Sequence, residues 1–308
     1  MPRHRGTKLA SGAHTNAPSS ITNAISAISM AMKDKRTAEW HGEASNSNPC
    51  SSFEVRQWRV GYIKQQTAAG YKIKGAKELT LHKVHQVLSH LADLAPLGTP
   101  MHRAMVARDG FAFSLLWTTG MRGINACEIT IQDFSLAPTD RHVSTPAVSR
   151  MTPTMQLVHG DRIIVTPQRL KSVMGANHSG VPIIFSGHPI MDPIIWLHRV
   201  LEACAAAKQP VSDYIVRTSD GHFKSFNPTP MTTAGMLYRL RCWLRELKAD
   251  EGESMHSFRR GVAQFMREHG CSVEQIRERL LIKTQHVIAN QYLPPGRFDS
   301  GTTRARVA

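Results

Sequence analysis

MHSFRRGVAQFMREHG, residues 255–270, is the stretch that decides the fold. Its apolar residues recur at helical spacing, and Gly270 supplies a C-terminal stop. That apolar side consists of Phe258, Val262, Phe265 and Met266. His256 and Arg259 are three residues apart, so they share one face of the predicted helix. An imidazole and a guanidinium are therefore presented side by side.

Downstream, Ser272 and Gln275 form a capping box that opens a further helix reaching to about Leu281. A polar turn containing Lys283 follows, and then a short helix that ends at Tyr292. Tyr292 comes 33 residues after Arg259. A lone His-x-x-Arg is a weak signal, and its value depends on what accompanies it.

Two upstream segments accompany it. An apolar helix over about residues 102–117 leads into TTGMRGINACEITIQDF (118–134), which places Arg122 on the turn and Asp133 eleven residues later. β-rich runs at 163–165 and 181–185 flank the polar turn ANHSG, which predicts a hairpin with Lys171 at the end of its first strand.

Four elements, in this order and at these distances, resemble the tyrosine recombinase (phage integrase) family. They are the turn with Arg122, the hairpin with Lys171, the helix with His256 and Arg259, and Tyr292. The sequence HSFRRG (256–261) and the two-domain organisation are most similar to those of recombinases of eukaryotic mobile elements such as Cryptons. The resemblance implies a mainly α fold with a small β-sheet (α+β). It also implies a helical core-binding domain that clamps duplex DNA, followed by a catalytic domain.

The resemblance implies a reaction in which DNA is cut and rejoined through a 3′-phosphotyrosine. Arginines suit it because they give paired, permanently charged N–H bonds to the nonbridging phosphate oxygens. His256 would add a donor or help take the tyrosine proton, Lys171 would protonate the departing 5′ oxygen, and Tyr292 would be the nucleophile. The implied catalytic residues are Arg122, Lys171, His256, Arg259, Lys283 and Tyr292. No metal, ATP or other cofactor is required.

Two positions depart from the family pattern. Asn125 stands where Glu or Asp is common, so Arg122 loses its usual orienting carboxylate unless Glu128 or another acid replaces it. Lys283 stands where His or Trp is common, and it can still donate to a phosphate oxygen as a mobile point charge. Either change is compatible with an altered site or with a decayed element.

Residues 1–97 are predicted to form an arm followed by a small helical unit. Residues 1–19 are polar and basic, which predicts a disordered arm. Apolar spacing predicts three helices within residues 20–97, the third capped by Thr80. The segment PLGTP (96–100) is typical of a linker, so residues 98–308 are predicted to form the catalytic domain.

Charge and cysteine usage limit the partners. The chain has 308 residues and a formal net charge of +15. Residues 1–100 hold 13 Lys and Arg against 6 Asp and Glu, and the rest hold 25 against 17, so both parts favour a polyanion such as double-stranded DNA. The resemblance to the family also implies that four protomers assemble on two DNA sites. The five cysteines are widely spaced, which predicts reduced thiols in an intracellular protein and no metal site. The sequence shows no apolar leader or membrane span, so no membrane association is expected, and in a eukaryotic host the protein is predicted to be nuclear.

Each candidate also has a structural interpretation. Tyr292 could be a packed helix-end tyrosine, Arg122 a helix-end arginine, and Lys171 a solvated hairpin lysine. Two functions compete with recombination: relaxation of supercoils by type IB topoisomerase chemistry, which needs one protomer, and DNA binding by a domesticated or decayed protein, which Asn125 and Lys283 favour.

Overall fold

The computed structural model describes residues 7–8, 14–15, 18–33, 48–70, 77–137, 149–150, 157, 159–167, 180–211 and 213–282. The chain is mostly helical with small antiparallel sheets, as the sequence predicts. It divides into two compact units, Met1–Gly75 and Ala76–Ala308. No helix within the described ranges has both the length and the apolar character that a membrane crossing needs.

The smaller unit contains the helices α1 (Pro18–Lys33) and α2 (Phe53–Ala68). The Asn48 amide donates to the main-chain oxygen and the hydroxyl of Ser29, which ties the turn before α2 to α1. Two short strands, β1 (Thr7–Lys8) and β2 (His14–Thr15), pair within the arm that was predicted to be disordered. Thr7 lies opposite Thr15, and Lys8 lies opposite His14.

The larger unit is built around one buried helix. Its helices are α3 (Leu81–Leu94), α4 (Pro100–Thr119), α5 (Gly123–Cys127), α6 (Pro193–Ala206), α7 (Thr233–Glu246), α8 (Met255–Glu268) and α9 (Val273–Arg279). Helix α4 is buried along nearly its whole length, so its sequence is apolar on every side rather than on one stripe.

The division of the chain differs from the predicted boundary near residue 97. Leu88 and Leu91 of α3 are fully buried in the core of the larger unit, and the Leu79 amide donates to the Ser257 carbonyl. The segment 96–100 is a tight connection between α3 and α4, in which Thr99 caps α4. A turn between packed helices and an interdomain linker share the same Pro/Gly signal, so this signal does not distinguish the two, and the boundary near residue 97 stays a prediction.

A four-stranded antiparallel sheet completes the larger unit. Its strands are β3 (Phe134–Ala137), β4 (Ser149–Arg150), β5 (Arg162–Val165) and β6 (Val181–Ile184), in the order β4-β3-β5-β6. The register that pairs Val165 with Val181 confirms the predicted strands on either side of the segment that carries Lys171. A second pair, β7 (Arg217–Ser219) and β8 (Phe226–Pro230), was not predicted.

Candidate active site

The turn between α4 and α5 positions Arg122. Gly120 directly follows the last residue of helix α4 and caps it, with a left-handed φ of +63°. A Cβ there would also lie 2.3 Å from Cδ2 of Leu280, so glycine is strongly favoured at this turn. Arg122 is the residue that immediately precedes α5, and its side chain is half-buried.

Helix α8 presents the two motif residues differently. Phe258 is buried and stacks on Phe113 at 5.8 Å between ring centroids, which anchors one side of the helix in the core. His256 is exposed, whereas Arg259 is only 2% exposed. The predicted shared face therefore exists, but only the imidazole lies at the surface.

The guanidinium of Arg259 links three segments of the chain. Its Nη1 donates to the Gly120 carbonyl at 2.8 Å, and its Nη2 donates to the Leu280 carbonyl. Gly120 stands two residues before Arg122, and Leu280 directly follows α9. Arg259 thus fixes the turn that carries the other predicted arginine, 137 residues away in sequence.

A second arginine reinforces the same turn. Arg279 donates through Nη1 to the Pro182 carbonyl of β6 at 2.6 Å, and through Nη2 to the Thr118 carbonyl of α4. Burial lowers the pKa of this guanidinium. Arg279 was not predicted as a site residue, and no motif in the sequence marks it.

The pKa of His256 is lowered by its surroundings, which include both predicted arginines. Loss of hydration against the surrounding protein, and then the positive charges of Arg259, Arg122 and Arg260, lower the pKa of His256, although the ring keeps contact with solvent. Arg260 is half-buried and was also missed, although it directly follows the motif arginine. The cluster is strongly positive around a neutral imidazole, which is an environment suited to an anion.

The Asn125 departure has a structural counterpart. Asn125 is 3% exposed, and within the described part of the chain its Oδ1 is buried without a hydrogen-bond partner. Glu128 lies at the other end of α5, where burial and its negative charge raise the pKa of the Cys127 thiol to about 12. The role of Glu128 as a substitute carboxylate for Arg122 stays a prediction.

Three predicted residues, Lys171, Lys283 and Tyr292, lie outside the described residues. Among the described ones, Arg259 bonds the turn that carries Arg122, and the charges of both arginines act on His256. Across the described ranges, no cluster of three His, Cys, Asp or Glu side chains is arranged to hold a metal ion.

Comparisons with known proteins find similarity only among solved structures. No protein-family model and no curated protein matches the chain. The XerH site-specific recombinase bound to difH substrate, in a pre-cleavage complex, is 14% identical with a TM-score of 0.45, and the match covers 88% of this chain and 58% of that one. The post-cleavage complex of XerH gives 14% identity, a TM-score of 0.46 and coverages of 87% and 59%.

The Tn1549 transposon integrase in complex with transposon right end DNA is also similar, with 14% identity, a TM-score of 0.41 and coverages of 91% and 82%. These neighbours are recombinases and an integrase. The chain spans less than two thirds of the length of the XerH chains.

Proposed function

We propose that this chain cuts and rejoins duplex DNA by the chemistry of a tyrosine recombinase, with Tyr292 as the nucleophile. The observation that supports the proposal is that Arg259 bonds the Gly120 carbonyl, two residues before Arg122, while the charges of both arginines add to burial in lowering the pKa of His256. The sequence motifs that contain them are far apart, and nothing in helix periodicity requires them to meet. The bonds of Arg259 to Gly120 and Leu280 also tie the segment that leads toward Tyr292 to this cluster.

The charge of the cluster suits the reaction. A phosphodiester resists attack because its anionic oxygens repel nucleophiles, and more negative charge develops in the pentacoordinate transition state. Arg122, at the start of α5, and Arg260 on α8 surround His256 with positive charge. Burial, and then these positive neighbours, lower the pKa of His256 and favour the neutral ring, which can accept a proton from the phenol or donate through its N–H.

The remaining roles come from the sequence. Lys171 is proposed as the general acid for the 5′ oxygen, and Lys283 as a further phosphate donor. We also propose that four protomers act on two DNA sites inside the cell, in the nucleus of a eukaryotic host. A single protomer active on one duplex would favour the topoisomerase-like alternative.

The test is a nicked suicide substrate incubated with the full chain, followed by a denaturing gel. The wild type is expected to form a covalent 3′ adduct, and Tyr292→Phe to form none while it still binds DNA, because only the phenolic oxygen is removed. The matched control is Tyr238→Phe, whose ring is 64% exposed on α7 and which should keep the adduct. An adduct with Tyr292→Phe would show that the nucleophile is misassigned.

Arg122→Ala separates catalysis from binding. The cleavage rate should fall by about 100-fold or more, by analogy with the loss of one oxyanion donor, while DNA affinity changes much less. Equal losses in both would place Arg122 among general phosphate contacts.

One observation favours a decayed DNA-binding protein as the second candidate. The buried Oδ1 of Asn125 has no donor within the described ranges, so this position does not visibly support Arg122. Tight DNA binding without any adduct on nicked or intact substrates would favour this alternative. Recovery of cleavage in Asn125→Asp would then identify the missing carboxylate as the defect.

A further inference from the structure

A groove on the larger unit lies well away from the candidate active site. It has a volume of about 510 Å³ and is formed by the end of α3, the first half of α4 and the second half of α6. Arg103 and Thr119 are 16 residues apart on α4, which at about 1.5 Å per residue separates the groove from the Arg122 turn by roughly 24 Å.

The groove combines a small-residue floor with charged walls. Ala92, Ala107 and Ala203 contribute the floor, while Arg103 and Arg199 supply guanidinium groups. Glu202 is the acidic residue in the lining, and its side chain is exposed.

Both arginines are held with unused hydrogen-bonding capacity. Within the residues that the structure describes, Nε of Arg103 and Nη1 of Arg199 are buried without a hydrogen-bond partner. The guanidinium of Arg199 lies over the Trp196 ring at 4.6 Å, which fixes its plane. Burial lowers the pKa of Arg199, and the charge of Glu202 opposes that shift. Buried donors without acceptors are costly. Both side chains line the groove and are only half-buried, so an oxyanion there would bind the donors that face solvent.

We propose that this groove binds a small organic oxyanion, a carboxylate or phosphate monoester whose apolar body rests on the alanine floor. The volume exceeds what a bare phosphate fills and lies in the range of small-molecule sites. The planar guanidinium groups match the paired oxygens of either head group. This site is independent of the proposed DNA chemistry, so either proposal can fail without the other.

The experiment is calorimetric titration of the full chain, without DNA, using phenyl phosphate and benzoate. These probes share a ring and differ in the oxyanion, so their relative affinities identify the head group that the site prefers. Phenol is the neutral control and should not bind. We expect saturable binding of at least one anion, weakened about tenfold in Arg103→Gln and in Arg199→Gln.

Matched variants separate this site from the general positive charge. Arg245→Gln removes one charge from a side chain that is 63% exposed and paired with Asp250, and it should leave affinity unchanged. Arg122→Gln should also leave it unchanged, which excludes binding at the candidate active site. Glu202→Gln removes a like charge from the lining and should tighten binding, an effect that a purely structural role does not produce.

Arg199→Lys keeps the charge without the planar fork and is expected to bind with intermediate affinity. It is the second variant if Arg199→Gln does not fold. The proposal is overturned if neither anion binds saturably at millimolar concentration, or if Arg245→Gln loses as much affinity as Arg103→Gln.

Discussion

Gly261 of the HSFRRG motif sits where α8 touches the main chain before α3. A Cβ at this position would lie 1.9 Å from the Leu79 carbonyl oxygen and 2.8 Å from Cζ3 of Trp117. The contact with Leu79 must open to at least 3.0 Å before a methyl group fits, and the atom in the way is backbone rather than a flexible side chain. Gly261→Ala therefore requires α8 to move by more than 1 Å relative to Leu79.

The energetic consequence can be bounded. Overpacking costs about 1–3 kcal/mol, and replacing a mid-helix glycine by alanine returns about 0.5–1 kcal/mol. The hydrogen bond from the Leu79 amide to the Ser257 carbonyl crosses the same contact and would be strained. We expect a net loss of about 2 kcal/mol in the free energy of unfolding. Displacement of Arg259, two residues earlier, should also lower any DNA cleavage by about 100-fold.

Urea unfolding followed by circular dichroism measures the first effect. Gly221→Ala is the control, because Gly221 lies in the same unit and a Cβ there would meet no atom within 4 Å, so stability should change little. If Gly261→Ala unfolds within about 0.5 kcal/mol of the wild type, the close approach of α8 to Leu79 is not a constraint on the fold.

Three further results are expected. Removal of residues 1–75 should leave the larger unit folded by circular dichroism, whereas removal of residues 1–97 should unfold it, because α3 carries fully buried core side chains such as Leu88. The midpoint of His256 in an NMR titration should lie below pH 6.5 and should rise in Arg122→Ala, and an unshifted midpoint would contradict a shared site. Because the unfolded state binds the proton more tightly, the contribution of this histidine to stability is present above pH 6.5 and is lost as the pH falls through its folded pKa. Affinity for duplex DNA should fall steeply with salt in filter binding, and a slope near zero would argue against many Lys and Arg contacts.

The helices with clear periodicity and caps could be predicted from the sequence. Thr80 and Ser272 cap α3 and α9 as expected, since their side chains accept from the main-chain amides of Lys83 and Gln275. Such signals are local and involve residues within one turn, so the sequence contains all of their geometry. The surface against which an apolar stripe packs is not local, so the sequence does not determine the unit in which α3 buries its stripe.

Buried polar contacts between distant residues could not be predicted from the sequence. Asp109 is 2% exposed inside the apolar run of α4, where it accepts from Arg108, Arg239 and the Trp243 indole. Burial alone would raise the pKa of Asp109, but the two arginines hold it below its ordinary value. Arg239 stands 130 residues away, so no spacing rule connects it to Asp109. The pair shows that an acid within an apolar segment can be a core ion pair rather than a site residue.

Arg259 illustrates how a motif can be recognised while part of its role is missed. The motif predicts a phosphate-binding arginine, yet the structure also uses its guanidinium to join the Gly120 turn to the end of α9. Loss of activity in Arg259→Ala would therefore combine a missing charge with a displaced turn. Arg122 gives the cleaner test of transition-state stabilisation, because Arg259 and Arg279 continue to hold the turn when Arg122 is replaced. Arg279, which holds Thr118 and Pro182, provides the complementary case, because its substitution should displace the turn without removing a group from the cluster around His256.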